Sequence, residues 1–327
     1  MLRVLIERPT TGTGDRDSAS AQYRAIAKTY PDIARRLRVD FCASDEEREA
    51  KLAKAEVFVA WRFPKADLAR RAPHLKWIQL TGAGVEHLMP LDWLPPGVSL
   101  TNCSGVHGPK LGEFATMAFL MLHVQMPFFA TAQREHRWEQ RFSSLIAGKT
   151  AVIVGLGGMG NAAMRSARRL GLNIIGVNRT GRAHRLADRT VAAGRLHQVL
   201  PKADFLFLAA PHTRQSRGMI GRPELALMKP SAGIVNVGRG ALIDDAALVA
   251  ALEAGRLAGA ILDVFAREPL PAGSPLWDAP NLLVVPHVSA DDAEQYMPRN
   301  FDLFFRNCRR FLARRPLLNR IDPEREY

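Results

Sequence analysis

Three side chains in the second half of the chain have the chemistry to handle a small carboxylic acid whose neighbouring carbon changes oxidation state. They are Arg239 in NVGRG, Glu268 in LDVFAREP and His287 in VVPHVS. Each follows an apolar run that reads as a strand, and open α/β sheets bind ligands beyond the carboxyl ends of their strands. A guanidinium can grip a carboxylate and polarise the carbonyl oxygen beside it. An imidazole can deliver a proton to developing alkoxide charge, and a carboxylate can keep that imidazole charged. Singly, Arg239 also fits a turn cap, Glu268 a surface charge, and His287 a satisfied ring after Pro286.

A second constellation would hold the redox partner. The buried-strand run 151–154 leads straight into Gly155, Gly157 and Gly160, and 161–170 is compatible with a helix. This is GxGxxG in the strand-turn-helix context that a dinucleotide site requires. Gly155 permits the tight turn, Gly157 lets backbone approach a pyrophosphate, and Gly160 lets helix pack on strand. The helix start, with Gly158 and Met159, offers N–H groups to the anion. Val237 and Gly238, just ahead of Arg239, are assigned to the cofactor as well. Where NAD-selective folds place an acid, about 20 residues on, this chain has Asn178, Arg179 and Thr180, with Arg182 nearby. Two guanidiniums and no carboxylate predict a preference for NADP(H), with NAD as the lesser cofactor; the competing reading is a solvated basic turn.

The elements that must position these residues alternate along the chain. LRVLIE, RVDF, VFVAW and WIQL are separated by helical patterns near 21–28 and 45–53. A second series runs through TAVIVGLGGMG, NIIGV, DFLFLAA, GIVNV, GAILDV and LLVV. Such alternation predicts parallel sheets, here two α/β domains, with the second beginning near residue 102. A long helical segment at 290–313 lies beyond the second strand series and is expected to return to the first domain.

Bulk properties narrow the class. The 327 residues are 47% hydrophobic and 24% charged, enough for two cores. The start MLRVLIERP reads as a strand rather than a signal peptide, which leads to an expectation of a cytoplasmic protein. The most apolar stretch, 114–130, is interrupted by His123, Gln125 and Pro127 and is short for a membrane span, so a buried helix is expected and no membrane partner. Cys42, Cys103 and Cys308 lack metal-ligand spacing, so no metal site and no disulfide framework are expected. The net charge of +13 is dispersed rather than clustered in runs, which argues against a nucleic-acid partner and suits a field that attracts small anions.

With these motifs in order, the sequence resembles the D-isomer-specific 2-hydroxyacid dehydrogenases, which include glyoxylate/hydroxypyruvate reductases and phosphoglycerate dehydrogenases. The likeness runs through LTGAGVEHL, TNCSGVHGPKLGEFA, AGKTAVIVGLGGMG, MKPSAGIVNVGRGALIDDAAL, GAILDVFAREPLPAGSPLWDAPNLLVVPH and the terminal LLNRIDPEREY. The resemblance implies a Rossmann cofactor domain, 102–289, inserted into a flavodoxin-like substrate domain of 1–101 and 290–327, with an interdomain cleft that closes about hinges near Asn102 and Ala290. It implies reduction of a small 2-oxo acid to a D-2-hydroxy acid. In it Arg239 anchors the carboxylate, His287 donates the proton, and Glu268 hydrogen-bonds His287 and favours its charged form. Ala83, Gly84 and Val85 match a loop that holds the substrate carboxylate through backbone N–H groups. Asp263 matches a contact to the nicotinamide carboxamide, or a structural acid at a strand end, and Pro211 and Thr213 match the loop lining the adenosine side. Members commonly form homodimers, and the apolar segment 114–129 with an arm around Trp138 is the expected contact.

Two departures bear on specificity: HVSADDAEQY after His287, where small residues are frequent, and the NRT turn. Trp61, Arg62 and Phe63 of AWRFP lie where relatives shape the side-chain pocket, which leaves the substrate open. NAD-dependent oxidation of D-hydroxy acids is the alternative within enzymes. A dinucleotide-sensing binding protein, resembling the C-terminal-binding corepressors, is the alternative outside them.

Overall fold

The computed structural model describes residues 1–7 and 18–322; the last five residues of the terminal motif, 323–327, lie outside the described residues. The chain divides into two compact units, Met1–Val106 with Asp292–Tyr327, and His107–Asp291. The division falls after 106 rather than at the expected 101 because the intervening segment is tied into the first unit. The Asn102 N–H donates to Asn319 O at 3.1 Å and the Cys103 N–H to Gly82 O at 2.9 Å.

The first unit is a five-stranded parallel sheet. Its strands are β1 (Leu2–Glu7), β2 (Leu37–Cys42), β3 (Val57–Ala60), β4 (Trp77–Leu80) and β5 (Ser99–Thr101), in the order β2-β1-β3-β4-β5. That is the flavodoxin-like order. Strands β3 and β4 are buried along their whole length, which is why VFVA and WIQL read as continuous apolar runs. Strand β5 was not expected, since three residues carry no period. One sheet face packs against the helix Tyr296–Leu312, whose buried Phe301, Phe304 and Phe305 meet Tyr23 and Trp77. The other carries Leu5, Leu52, Phe58 and Ile78. The expected helix at 290–313 begins only at Tyr296, because Asp292 Oδ1 accepts the N–H groups of Glu294 and Gln295 in a turn ahead of it.

The second unit has the strands β6 (Thr150–Val154), β7 (Asn173–Asn178), β8 (Arg189–Ala192), β9 (Phe205–Leu208), β10 (Gly233–Asn236), β11 (Gly259–Leu262) and β12 (Leu282–Val284). They form a parallel sheet in the order β12-β11-β10-β9-β6-β7-β8. The order reverses between β6 and β9, the switch point of a doubly wound Rossmann sheet. Strand β8 also escaped the sequence reading: RTVA is an edge strand with only Val191 buried.

The apolar stretch 114–130 is corrected from one buried helix to parts of two, Gly108–His123 and Met126–Arg134, bent by 65° at the break. Gln125 adopts a left-handed φ of 59°, and Pro127, which cannot donate a backbone hydrogen bond, opens the second helix. Leu111, Ala115, Ala118, Phe119 and Leu122 are buried, the first helix packing on Gly158–Arg169 and on β10 and β11 with Phe119 against Phe205 and Phe207, whereas Met117, Leu120, Val124 and Met126 are exposed. Among the described residues no single helix is long and apolar enough to cross a membrane, although this bent pair passes by length and composition. All three cysteines are buried thiols.

Candidate active site

Strands β10, β11 and β12 lie side by side, and Arg239, Glu268 and His287 follow their carboxyl ends in that order. After β12 the chain turns sharply at His287, whose φ of 55° lies in the left-handed region. A non-glycine residue there costs about 1–3 kcal/mol, so neighbouring contacts must hold it. Asp263, just past β11 and only 2% exposed, supplies them. Its Oδ1 accepts the N–H groups of Val288 at 2.8 Å and Ser289 at 3.0 Å, and its Oδ2 accepts the Ser289 hydroxyl. Burial pushes the Asp263 carboxyl above its ordinary value, and the Ser289 and Val288 donors oppose that rise. Asp263 thus acts within this unit as the clamp of the His287 turn.

The imidazole is half-exposed and its Nδ1–H donates to Glu268 Oε2 at 2.7 Å. That bond leaves Nε2 as the ring atom able to hand over or receive a proton. Glu268 is itself oriented, because its Oε1 accepts the Phe265 N–H at 2.9 Å. The Arg239 loop meets this turn directly: a Cβ added at Gly240 would overlap the backbone of Phe265 and Ala266. Arg239 is partly buried; its Nη1 donates to Gly238 O at 2.7 Å, and the Asn236 side-chain amide donates to Arg239 O at 3.0 Å. The structure therefore brings the three expected residues into one region of the second unit.

His107 was not singled out from the sequence and belongs to the same region. Its Nδ1 donates to Ala290 O at 3.3 Å, Asp291 lies 3.8 Å away, and its charge senses both Arg239 and His287. Burial lowers its pKa, against the Ala290 carbonyl and Asp291. The available signal was a His immediately before the Gly-Pro start of the helix Gly108–His123.

At the dinucleotide fingerprint, Gly155 has φ of 90°, and a side chain there would also strike the backbone of Ala209 and Ala210 on the neighbouring β9 loop. At Gly160 a Cβ would overlap the Gly155 carbonyl. Nothing lies within 4 Å of a Cβ built on Gly157, which leaves an open cradle before the helix Gly158–Arg169. That combination, two closed positions and one open approach to a helix start, fits a bound pyrophosphate. At the end of β7, Asn178 shapes the turn: its Oδ1 accepts the N–H groups of Thr180 and Gly181, and its amide donates to Arg182 O at 2.8 Å. The exposed side chains of Arg179 and Arg182 project from it. Pro211 and Thr213 form the loop after β9, pinned by Ser216, whose hydroxyl donates to Pro211 O at 2.7 Å. Val237 is buried after β10, with its N–H on Leu208 O.

In the first unit, Ala83, Gly84 and Val85 form the turn after β4, where the Asn102 amide donates to Ala83 O at 2.7 Å. Trp61 packs on the backbone of Gly82 and against the His87 ring, 4.5 Å between centroids. Among the described residues no cluster of His, Cys, Asp and Glu could hold a metal ion.

The model of the D-isomer specific 2-hydroxyacid dehydrogenase NAD binding domain matches residues 116–289. Glyoxylate/hydroxypyruvate reductase B of Pectobacterium carotovorum is 40% identical over 233 residues, 68% of this chain and 72% of that protein. D-3-phosphoglycerate dehydrogenase of Methanocaldococcus jannaschii is 32% identical over 76% of this chain but 48% of its own length, so the chain spans about half of that relative. Among solved structures, a D-isomer specific 2-hydroxyacid dehydrogenase of Xanthobacter autotrophicus Py2 in complex with NADPH and MES superposes with a TM-score of 0.84, 30% identity and 99% coverage of both chains. An NADPH-dependent glyoxylate/hydroxypyruvate reductase of Sinorhizobium meliloti in complex with NADP and sulfate gives 0.82, 28% and full coverage of both.

Proposed function

The chain belongs to the D-isomer-specific 2-hydroxyacid dehydrogenases, and on that premise we propose that it reduces a small 2-oxo acid to the D-2-hydroxy acid with NADPH. The observation that carries this reading is the Glu268–His287 pair set against the Arg239 loop beyond three adjacent strands. Arg239 binds the substrate carboxylate and polarises the carbonyl oxygen with a planar two-pronged grip. His287 holds a proton at Nε2 and gives it to that oxygen, while Glu268 fixes the ring through Nδ1. The cofactor, when bound, supplies the hydride to carbon 2.

Gly155, Gly157, Gly158, Met159 and Gly160 would hold its pyrophosphate, with Pro211, Thr213, Val237 and Gly238 along its length, while Asp263 is spent on the His287 turn. Arg179 and Arg182, on a turn that Asn178 and Thr180 shape, support NADP over NAD: they can pair with a 2′-phosphate and no acid stands at the end of β7. A homodimer through the second unit is part of the same proposal. Trp138 is 94% exposed, Phe142 88% and Leu145 85%, beside the exposed Met117, Leu120 and Val124, an apolar surface of the kind that partner chains cover.

The test is a matrix of kcat/KM values for NADPH and NADH oxidation against glyoxylate, hydroxypyruvate, pyruvate and bulkier 2-oxo acids. Turnover of the small acids, faster with NADPH, is expected. Cofactor binding without turnover of any 2-oxo acid would replace the enzyme reading with a dinucleotide-sensing one.

A further inference from the structure

The first unit contains a second concentration of cations that the reaction does not use. Arg3 on β1 and Arg38 on β2 are directly opposed in the parallel register, so both side chains leave the same sheet face. That face also carries Leu5, which packs with Leu52 and Ala55 at the end of the helix Asp45–Leu52. Beside them lies an open surface hollow of about 200 Å³ lined by the exposed Arg3, Arg38 and Lys54 and the half-buried Lys51, with the exposed Asp40 as its one carboxylate.

The charges here are poorly compensated. Like charges directly opposite on neighbouring strands repel. Arg38, Lys54 and the Arg3 guanidinium have no carboxylate within 4 Å among the described residues, and Asp40 pairs with none of them. The carboxylates nearby are engaged elsewhere. Glu56 takes Lys76 at 2.7 Å and the Arg3 backbone N–H, and Glu7 takes Arg48 at 3.0 Å. Lys51 is partly engaged, with Phe41 O at 2.6 Å and Glu47 at 3.5 Å. Two guanidiniums on adjacent strands stand roughly 4.8 Å apart in backbone. That spacing suits a tetrahedral oxyanion gripped from two sides, with an ammonium group on the third. The volume is below the roughly 300–1,000 Å³ of drug-sized pockets, which suits a small ion.

We propose that the Arg3–Arg38–Lys54 hollow is a binding site for a small tetrahedral dianion of the phosphate class, separate from the dinucleotide and 2-oxo acid residues. It rests on the register and the uncompensated charge, and it stands whether or not the chain reduces 2-oxo acids.

The test is calorimetric titration of the full chain with inorganic phosphate at an ionic strength held constant with chloride. Wild type should bind saturably. Arg38→Met and, in the exposed turn just past the helix, Lys54→Met should each weaken the dissociation constant tenfold or more. Arg179→Met and Arg239→Met, which remove the other anion grips, should leave it within twofold. Arg38→Met should also unfold no earlier than wild type in low salt, since it relieves a like-charge pair. No saturable binding, unchanged binding in both Arg38→Met and Lys54→Met, or loss of binding in Arg179→Met or Arg239→Met would each overturn the site.

Discussion

Replacing Asp263 separates the residue that holds the catalytic turn from the residues that perform the proposed chemistry. Asp263→Ala strips the Val288 and Ser289 N–H groups of their acceptor. The Ser289 N–H, left buried and unpaired, would cost about 1–3 kcal/mol, whereas that of the half-exposed Val288 can reach water. The turn has a cheaper course: it can leave the left-handed conformation at His287, recover about 1–3 kcal/mol of backbone strain and present its N–H groups to water. The expected result is therefore a stability loss below about 3 kcal/mol by urea unfolding, coupled to a displaced imidazole. A fall in kcat approaching the roughly 100- to 10,000-fold supplied by acid-base groups should follow. Asp263→Asn keeps a side-chain oxygen for the two N–H groups, while the Ser289 hydroxyl can turn to accept from the amide, so it should restore at least a tenth of wild-type kcat. The assays are steady-state kinetics and NADPH binding by fluorescence on the same preparations. Undiminished kcat in Asp263→Ala, or a defect confined to NADPH affinity, would refute the clamp.

His287→Ala should lower kcat by about 100- to 10,000-fold with NADPH affinity little changed, measured by turnover and fluorescence titration; retained turnover would assign the proton to another group. Arg239→Lys should raise KM and lower kcat together by tenfold or more in the same assay, because a point charge cannot reproduce a bidentate grip. Arg179→Ala should reduce the kcat/KM ratio of NADPH over NADH about tenfold, and an unchanged ratio would return Arg179 to the solvent. His107 has a depressed folded-state pKa, so acidification below the unfolded value of about 6.5 puts a proton on the unfolded chain first; its contribution to stability is present above that pH and is lost as pH falls through the folded value. The difference in unfolding free energy between wild type and His107→Gln should therefore shrink from pH 7.5 to pH 5.5, and a constant difference would show that burial does not control this ring. If the proposed dimer forms, Trp138→Asp should sediment as a monomer where wild type sediments as a dimer, and a monomeric wild type would end the dimer proposal.

The parts of this molecule legible in its sequence are those whose signal is local. Strands β3, β4, β6 and β9 are buried along continuous apolar runs, and two of the fingerprint glycines, Gly155 and Gly160, sit where positive φ or backbone crowding demands them. Strands β5 and β8 were invisible because SLT and RTVA are short and mostly polar, and the sheet alone makes them strands. The helix break is half visible: His123, Gln125 and Pro127 interrupt the apolar run, but nothing local shows that Gln125 adopts a left-handed backbone and splits the helix. The sequence alone leaves Asp263 between cofactor contact and structural acid, because the groups it holds are 25 and 26 residues downstream. His107 met its neighbours at Ala290 and Asp291 only through the fold.

The convergence of Arg239 and His287 has a simple origin in register. Asn236 on β10, Leu262 on β11 and Val284 on β12 pair in one row across the sheet. Arg239 and His287 each stand three residues past that row, on strands separated by β11, so their backbones start on the order of 10 Å apart at neighbouring-strand spacings near 4.8 Å. Glu268 stands six residues past the same row, which gives its loop the length to fold back and place a carboxylate on the imidazole. A slip of one residue at β12 would turn its side chains to the opposite face and move the His287 turn off the Asp263 carboxylate. The buried Leu282 and the Asp263 hydrogen bonds across the strand ends oppose that slip, so the packing that stabilises this edge of the sheet is also what aligns the proposed proton donor with its partner.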